Sequence, residues 1–359
     1  MNENPSVSFN GSSCPLPLKH NKNIVIGHGS GGLMTHELIQ EVFQSQFRNP
    51  TLDTLNDFAK TVLPAKSFLK GHLSISTDAH IISPLFFPGG DIGRLAIAGT
   101  VNDVAMSGGI PLFITAAFII EEGLPIDTLK RVAISMQQTA EEAEVQIVAG
   151  DTKVVEKGKA DKLFISTTGI GWIPQDVNIG GEFACPGDAV IISGSLADHG
   201  IAVLAARGQL NFSTTIQSDV ATLNRVIRKV LKATPNVHVL RDPTRGGLGT
   251  SLNEIAQQSQ VSIVLDEEHI PIKAEVRAAC ELLGFDPLYV ANEGKVIIIL
   301  PESESKQALD TLHSDPLGVS ASKIGSVISD PHHHVLLKTL IGGTRIIEML
   351  SGEMLPRIC

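Results

Sequence analysis

The sequence predicts two mixed α/β domains, each a sheet with helices laid on it. Three observations support this prediction. The chain has 359 residues, which suggests two domains at about 150 residues per domain. Strand-like and helix-like patterns alternate in both halves. A segment rich in Gly, Pro and Asn separates the halves at 174–187. We therefore expect a disordered leader at 1–23, an N-terminal domain at 24–178, a C-terminal domain at 179–350 and a mobile tail at 351–359.

The first half opens with an apolar strand and a glycine-rich loop, followed by a helix over 33–47 that ends before Asn49-Pro50. Apolar and polar residues alternate over 72–78, which is typical of a half-buried strand that ends at Asp78. The other predicted elements of this half are a turn-rich loop at 84–90, a helix at 92–106, a buried strand at 112–120, a helix capped by Asp127 that runs to about Ala143, a short strand at 145–149 that ends in Gly150-Asp151-Thr152-Lys153, and a strand at 163–173.

The second half repeats the alternation of apolar runs and helical patterns. A strand is predicted over Lys295 to Leu300, because Val296 to Leu300 is a continuous apolar run. The other predicted strands are 189–193, 237–240, 261–265, 323–328 and two near 334–350, and the predicted helices are 200–206, 220–232, 249–257, 274–283 and 303–313.

Composition excludes several classes of protein. The net charge is −10 and aromatic residues make up 4% of the chain, so a nucleic-acid binder is disfavoured. No apolar run approaches the ~18 residues of a membrane span. The four cysteines, Cys14, Cys185, Cys280 and Cys359, form no CxxC pattern. Reduced thiols in a cytoplasmic protein are the simplest interpretation.

The glycine-rich loop at 27–32 has the composition of a phosphate-binding loop. It consists of Gly27, His28, Gly29, Ser30, Gly31 and Gly32 and opens a helix. Glycines let backbone N–H groups approach a phosphate, and the helix N-terminus adds a partial positive charge. The loop is not a Walker A motif, because no Gly-Lys-Ser/Thr follows. A flexible loop without a ligand explains it equally well.

Four aspartates lie at predicted strand ends or beside glycines: Asp78, Asp103, Asp151 and Asp242. Each one alone is more simply a turn or capping residue. Together they are the oxygen ligands that Mg²⁺ prefers. Asp103 stands apart because it lies beside Asn102 in an otherwise apolar helix, where an unpartnered carboxylate is costly.

Three further residues have the chemistry of a phosphoryl-transfer site. Lys153 and Arg245 offer positive charge beside glycines or at a predicted strand end, and Glu293 precedes a buried strand as a candidate general acid or base. Structural roles on the surface or in turns remain open for all three. The tract His332-His333-His334 is more simply an exposed turn than a metal site.

Cys359 is the last residue of the sequence. A thiol beside Arg357 at a chain end can reach a partner or fold back onto the protein, and its reactivity depends on the local field. On its own this cysteine is more simply incidental.

Taken together, the motifs resemble the HypE family of hydrogenase maturation factors, over essentially everything from about Ile24 onward. The matching stretches, in the family's order, are Gly27–Gly32, Ser76-Thr77-Asp78, 84–90, Asn102-Asp103-Val104, 150–155, 241–247, Ala291-Asn292-Glu293-Gly294 and Pro356-Arg357-Ile358-Cys359.

This resemblance implies an aminoimidazole ribonucleotide synthetase-like fold, dimerisation through the N-terminal sheets, and ATP bound between the domains near the dimer interface. It implies that Asp78, Asp103 and Asp242 bind Mg²⁺. The residues that we assign to the nucleotide on the same basis are the six of the glycine loop, Asn102, Gly150, Asp151, Thr152 and Arg245.

The resemblance also implies a reaction. The carbamoyltransferase HypF would load a carbamoyl group onto Cys359, and this chain would dehydrate the S-carboxamide to an S-cyanide with ATP. The HypC–HypD complex would receive the cyanide for the iron of a [NiFe]-hydrogenase. We assign Cys359 as acceptor, Glu293 as proton acceptor and Lys153 as a charge that assists phosphoryl transfer.

Two alternatives stay open. The first is another enzyme of the same superfamily, such as selenophosphate synthetase, thiamine-phosphate kinase or a purine-pathway synthetase, although none of these requires a terminal cysteine. The second is a non-catalytic carrier that only presents Cys359 to its partners. ATP hydrolysis separates the carrier from the enzymes.

Overall fold

The computed structural model describes residues 22–29, 33–49, 70–208 and 215–350. Within these residues the chain forms a four-stranded sheet, a seven-stranded sheet and a short two-stranded pair. The strands of the four-stranded sheet end at Pro174, and those of the seven-stranded sheet begin at Asp188. Two sheets with helices packed on them confirm the predicted mixed α/β fold. No helix in these ranges is long and apolar enough to cross a membrane.

The first half begins with a 3-10 turn at Ile26–Gly29. Its helices are α1 (Leu33–Leu38), α2 (Ser45–Phe47), α3 (Ile92–Met106) and α4 (Ile126–Ala143), with a π-helical segment, Ile39–Gln44, joining α1 to α2. Its strands are β1 (Gly71–His80), β2 (Phe86–Phe87), β3 (Gly90–Asp91), β4 (Ile110–Glu121), β5 (Gln146–Val155) and β6 (Leu163–Pro174).

The four-stranded sheet has the order β1-β6-β4-β5, and only the β4–β5 pair is parallel. Because side chains alternate along a strand, each strand presents one set of residues to α3 and the opposite set to the other face. On β1, Ser74 and His80 are buried on the helix side, whereas Leu73 and Ile75 are exposed on the opposite side, which we call the outer face.

Helix α3 is buried on nearly all sides and lies between the first sheet and the second half. Asp91 caps its N-terminus, because its Oδ1 accepts hydrogen bonds from the N–H groups of Gly93 (2.7 Å) and Arg94 (3.1 Å). Asn102 ties the helix to the second half: its Nδ2 donates to the carbonyl of Ala221 (2.9 Å), and its Oδ1 accepts from the N–H of Leu223 (2.7 Å).

The second half contains β7 (Asp188–Ile192), β8 (Val239–Arg241), β9 (Ser262–Asp266), β10 (Ile297–Pro301), β11 (Ser322–Ile328), β12 (Val335–Lys338) and β13 (Thr344–Ile347). Its helices are α5 (Asp198–Ala206), α6 (Asn224–Ala233), α7 (Gly247–Ser259), α8 (Ala274–Leu283) and α9 (Glu302–His313). The sheet order is β13-β12-β9-β11-β7-β10-β8.

Both faces of the second sheet are buried, which explains its continuous apolar strands. On β10, Ile297 and Ile299 enter one core with Leu252 of α7, whereas Ile298 and Leu300 enter another. Cys280 is buried, as the sequence predicted, and burial raises the pKa of its thiol to about 11. This thiol is therefore a packing residue.

Four local predictions are wrong. Asp127 lies in the first turn of α4, whose N-cap is Pro125. The loop at 84–90 contains the β2–β3 pair. The helix expected from Val220 starts at Asn224, because Asn102 holds the preceding backbone.

The fourth error is the placement of Lys153 at a strand end. Strand β5 continues beside β4 to the pairing of Glu121 with Val155, so Gly150–Lys153 lies inside the strand. A glycine and an aspartate in this stretch suggested a turn, but the parallel ladder continues through both.

Candidate active site

Four acidic side chains from both halves line one cavity of about 130 Å³, and we call them the acid pocket: Asp78, Asp103, Asp242 and Glu293. Asp78 comes from β1 and Asp103 from the adjacent face of α3. Asp242 directly follows β8, and Glu293 lies in the segment before β10. The residues of this pocket are therefore far apart in the sequence and meet where α3 passes between the two sheets.

Asp103 carries a perturbed carboxyl group. Burial, together with the negative charge of Asp242, raises its pKa to about 7, although a hydrogen bond from Ser76 Oγ (2.7 Å) opposes the shift. The prediction that this acid needs a partner agrees with this geometry. Ser76 supplies one donor, and the nearby acids Asp242 and Asp78 raise the pKa of Asp103 while the charge of Arg241 opposes them.

The carboxyl groups of Asp242 and Asp78 also lie close to other charged groups. Burial raises the pKa of Asp242, and the charge of Asp78 adds to the effect. Asp78 Oδ1 accepts a hydrogen bond from the N–H of Ala79 (2.7 Å) and lies 3.6 Å from a guanidinium nitrogen of Arg245. Arg245 is mostly exposed at the turn before α7, so its charge reaches the rim of the pocket rather than its base.

Glu293 is 6% exposed, and its pKa is well above the usual range because of burial and then the negative charge of Asp219. Its backbone N–H donates to Asp219 Oδ1 (3.1 Å). Asp219 is held ionised, although burial alone would raise its pKa, by the ammonium group of Lys295, whose Nζ lies 3.0 Å from Asp219 Oδ2. A buried ion pair therefore stands directly behind Glu293.

Sequence reasoning missed this pair and also His80. His80 is buried beside Asp78, with its Nε2 3.3 Å from Thr167 Oγ1, and burial lowers its pKa. A signal for His80 existed, since it lies two residues after Asp78 on the same face of β1. Asp219 and Lys295 gave no comparable signal, because the contact between them depends on the packing of 219–223 against α3.

The acid pocket opens into a larger cleft of about 410 Å³, a size typical of small-molecule sites. The two cavities share Asp103, Asp242, Thr244 and Arg245. Gly180, Gly181 and Ser107 line the far part of the cleft. Asn102, predicted to contact a nucleotide, is buried near this cleft with its amide engaged by backbone groups. In this structure it positions the segment at 221–223.

The donor set of the acid pocket fits Mg²⁺. It consists of carboxylate oxygens from different elements, which is the chemistry that hard cations require. The pKa values of Asp103 and Asp242 are raised by burial and then by the negative charge of neighbouring acids, and a bound cation would offset that charge.

A second set of predicted residues lies elsewhere, and we call Gly150, Asp151, Thr152 and Lys153 the β5 group. Strand β5 is at the opposite edge of the sheet from β1, about 14 Å away across three strand spacings. Lys153 Nζ lies 3.0 Å from a carboxylate oxygen of Asp151, and both side chains are more than 60% exposed. A hydrogen bond from Lys153 lowers the pKa of Asp151.

Register shows which face these residues occupy. Asp151 pairs with Ala117 and Lys153 with Ile119 across the β4–β5 ladder, and paired residues point to the same side. Ile119 is exposed on the outer face. Lys153 therefore faces away from α3 and away from the acid pocket of its own chain.

The glycine loop lies near the β5 group. Its first residues, Gly27, His28 and Gly29, belong to the 3-10 turn that packs against β5. His28 is buried, and its Nδ1 accepts a hydrogen bond from the N–H of Val25 (3.0 Å). Ser30, Gly31, Gly32 and Cys359 lie outside the described residues.

Comparison with known proteins gives the family. The AIR synthase related protein N-terminal domain matches residues 67–173, and the C-terminal domain of the same description matches residues 185–338. A carbamoyl dehydratase HypE from Cupriavidus necator is 51% identical over 345 residues, covering 96% of this chain and 97% of that protein. The chain belongs to the HypE family.

Solved HypE structures agree. A HypE crystal structure in complex with ATP has a TM-score of 0.88 and 50% identity, covering 93% of this chain and 99% of that chain. A chain of a HypE–HypF complex has a TM-score of 0.75 and 45% identity over 88% of this chain and 99% of that chain. These matches confirm the family and the two-domain AIR synthase-like fold predicted from the motifs. The roles of individual site residues and the domain limits stay predictions.

Proposed function

We propose that this HypE chain is an ATP-dependent carbamoyl dehydratase that converts an S-carboxamide on its own Cys359 to an S-cyanide, for [NiFe]-hydrogenase maturation. The observation that carries the proposal is the acid pocket at the base of a nucleotide-sized cleft. A relative at 50% identity was solved with ATP, and a relative at 51% identity is named a carbamoyl dehydratase.

The chemistry needs a better leaving group than an amide oxygen. Transfer of the γ-phosphoryl group of ATP to that oxygen leaves ADP and an O-phosphorylated carboximidate. The C–O bond then breaks to release phosphate, the second C–N π bond forms, and both N–H protons are lost. The sum is loss of one water from the carboxamide, coupled to hydrolysis of ATP to ADP and phosphate.

Glu293 is the proton acceptor that we propose. Its carboxyl group is buried at the cavity where the other acids converge, which is a suitable position for proton transfer to a bound group. The raised pKa makes it a strong base once ionised. Asp219 and Lys295 fix its backbone, so its position does not depend on a ligand.

Asp78, Asp103 and Asp242 would hold Mg²⁺. When bound there, the metal ion supplies positive charge that offsets the phosphate oxygens in transfer. Arg245, 3.6 Å from Asp78, is placed to contact a phosphate at the rim of the same pocket.

We also propose a homodimer that completes the site. Strands β1 and β5 are the two edges of the four-stranded sheet over the described residues. A two-fold arrangement that pairs β1 with the partner's β5 closes two sheets into a barrel and covers the exposed Leu73 (56%) and Ile75 (67%) of the outer face. It also places the partner's β5 next to the strand that carries Asp78, with Thr152 on the helix-facing side, as Asp78 is, and Lys153 on the opposite side.

The partners follow from the reaction. HypF would supply the carbamoyl group, and a relative at 45% identity was solved in a HypE–HypF complex. The HypC–HypD complex would receive the cyanide. The free thiols of Cys185 and Cys280 agree with the predicted cytoplasmic location.

The test is the intact mass of the C-terminal peptide after incubation with HypF, carbamoyl phosphate and ATP. We expect a carbamoyl adduct on Cys359 that loses the mass of one water only when this chain can hydrolyse ATP. In Cys359→Ala neither species should form, whereas ATP binding should persist. An adduct that never loses water would indicate a non-catalytic carrier. Dehydrated product from Cys359→Ala would show that Cys359 is not the acceptor of the carbamoyl group.

A further inference from the structure

A second cluster of metal-binding side-chain types lies in the C-terminal domain. Cys185, Asp188 and His238 each present one possible ligand atom, and these three atoms lie within 4.8 Å of one another. The sheet explains why they meet. Strands β7 and β8 are both antiparallel to β10, so they run parallel to each other. Asp188 begins β7 and His238 directly precedes β8, so both lie where these two parallel strands start, at the same end of the strands.

The backbone holds each residue of this cluster. The N–H of His238 donates to the carbonyl of Ile299 (2.9 Å), and its own carbonyl accepts from the N–H of Gly180 (3.1 Å). Cys185 begins the turn that leads into β7, and the N–H of Asp188 donates to the Cys185 carbonyl (3.0 Å). The positions of the side chains are therefore set by the sheet and the turn before any ligand arrives.

The side chains already converge. Asp188 is 3% exposed, and its Oδ2 accepts a hydrogen bond from the Cys185 N–H (2.7 Å) and lies 2.8 Å from His238 Nδ1. The Cys185 thiol is on the surface, where its Sγ contacts the carbonyl of Phe183 (3.4 Å). The carboxylate thus anchors the cluster from inside, and the thiol and imidazole approach it from the solvent side.

The donor types select a class of ion. A thiolate, an imidazole and a carboxylate suit zinc and neighbouring divalent transition metals, which accept sulfur and nitrogen ligands. Mg²⁺ prefers oxygen ligands alone, so the acid pocket and this cluster differ in selectivity. We propose that Cys185, Asp188 and His238 bind one divalent transition-metal ion of the zinc class, with water at the remaining position.

Binding would have a defined mechanical effect. The ion would cross-link the turn at 185–187 to the first residues of two strands in the same sheet. Asp242 lies four residues after His238 along β8, at a distance of about 13 Å, so the ion would stiffen the base of the strand that leads to the acid pocket. The thiol must lose its proton on binding, so affinity should fall as pH is lowered.

The direct test is a Co²⁺ titration of the full chain carrying Cys14→Ser and Cys359→Ser, which leaves Cys185 and Cys280 as thiols. We expect one equivalent of Co²⁺ to produce a thiolate-to-cobalt charge-transfer band, and Zn²⁺ to displace it. Cys185→Ser should abolish the band. Cys280→Ala is the matched control, since that thiol is buried elsewhere, and the band should remain.

The affinity for Zn²⁺ gives an independent readout. His238→Gln should weaken Zn²⁺ binding at least about tenfold, since even an outer-shell partner of a metal ligand contributes that much. Zn²⁺ should raise the unfolding temperature of the parent chain but not that of Cys185→Ser.

The histidine tract at 332–334, in which His332 is exposed and the other two are partly buried, is a competing source of affinity for Zn²⁺. Replacement of its three histidines by Ala should leave the charge-transfer band and the Zn²⁺-dependent stabilisation unchanged. If that replacement removes Zn²⁺ binding, or if Cys185→Ser retains it, the cluster is not a metal site and the proposal is overturned.

Discussion

The acid pocket and the β5 group lie at opposite edges of the N-terminal sheet, and they differ in burial, in charge balance and in the pKa values of their acids. The acids are collected from both halves of the chain, and the pKa values of Asp103, Asp242 and Glu293 are raised. In the β5 group, Asp151 and Lys153 are adjacent, exposed and paired with each other, and the pKa of Asp151 is lowered.

This contrast indicates which part of the proposed site a single chain can form. These raised carboxyl pKa values arise first from burial and then from neighbouring negative charge, a cost that a folded protein accepts at functional sites. An exposed ion pair on an edge strand has no such cost. Asp151 and Lys153 lie on the outer face of one edge strand, whereas the acid pocket lies behind the inner face at the other edge, so these two side chains do not reach the acid pocket of their own chain. A shared role requires a partner subunit.

The largest expected effect belongs to the acid pocket. Glu293→Gln removes the proposed proton acceptor but keeps the size of the side chain, so dehydration of carbamoylated protein should slow by about 10²-fold or more. Mass spectrometry under single-turnover conditions measures this dehydration rate. Carbamoylation of the Glu293→Gln chain by HypF is the control and should proceed as in the parent. A dehydration rate within a factor of about two of the parent would remove Glu293 from this role.

The second prediction concerns whether the β5 group of one subunit contributes to the active site of the other subunit. Lys153→Ala and Asp103→Asn should each lose most ATP-dependent dehydration, because each removes charge needed for phosphoryl transfer. When the two variants are mixed in equal amounts and allowed to exchange subunits, half of the dimers are heterodimers. Each heterodimer has one intact site of two, so about a quarter of the parent activity should return.

The mixing experiment has two controls. Each variant incubated alone should stay inactive, and a mixture that cannot exchange subunits should show no recovery. If exchange is demonstrated and activity stays absent, both residues serve a site within one chain, and the proposed pairing of β1 with the partner's β5 is wrong.

The comparison also shows what a sequence reveals about such a site. The fold class followed from alternating patterns, since burial of apolar faces dictates them. Asp103 stood out because a carboxylate in an apolar helix demands an explanation, and its raised pKa agrees. The acids belong together through packing of α3 between two sheets, which spacing along the chain does not encode. Residue type alone had grouped Asp78, Asp103 and Asp242 with Asp151, and only the family motifs selected the first three as metal ligands.

The missed features have a common cause. Lys153 was placed at a strand end because Gly150 and Asp151 disfavour strands, yet the ladder with β4 continues through them. The Asp219–Lys295 pair is local in space but 76 residues apart in the chain, the difference between their numbers. Such long-range pairs leave no periodic signal.

A smaller effect concerns stability and its pH dependence. The folded-state pKa of Asp103 is raised from about 3.8 to about 7, so the folded state holds this proton more tightly than the unfolded state. This contribution is fully present below the unfolded pKa and is lost as pH rises toward 7. Asp103→Asn should therefore raise the unfolding temperature at pH 8 by a few degrees without added metal, and by less at pH 5.

The measurement is thermal unfolding in a chelator, which removes bound cations from both proteins. Ser76→Ala is the second variant to measure. It removes the 2.7 Å hydrogen bond that holds down the pKa of Asp103, so the free energy of unfolding should fall most at high pH, where Asp103 is ionised. A stability difference between Asp103→Asn and the parent that does not change with pH would show that Asp103 keeps an ordinary pKa.

The last prediction concerns the stability of the β5 group, where we expect only a small change. Asp151→Asn breaks the exposed pair with Lys153, and exposed pairs contribute about 0–1 kcal/mol, so the free energy of unfolding should change by less than about 1 kcal/mol at any pH from 5 to 8. Urea unfolding measures it. The same substitution should still reduce ATP-dependent turnover, because the carboxylate orients a lysine that the site needs. A change well above 1 kcal/mol would mean that the β5 group is structural, and the contrast with the acid pocket would disappear.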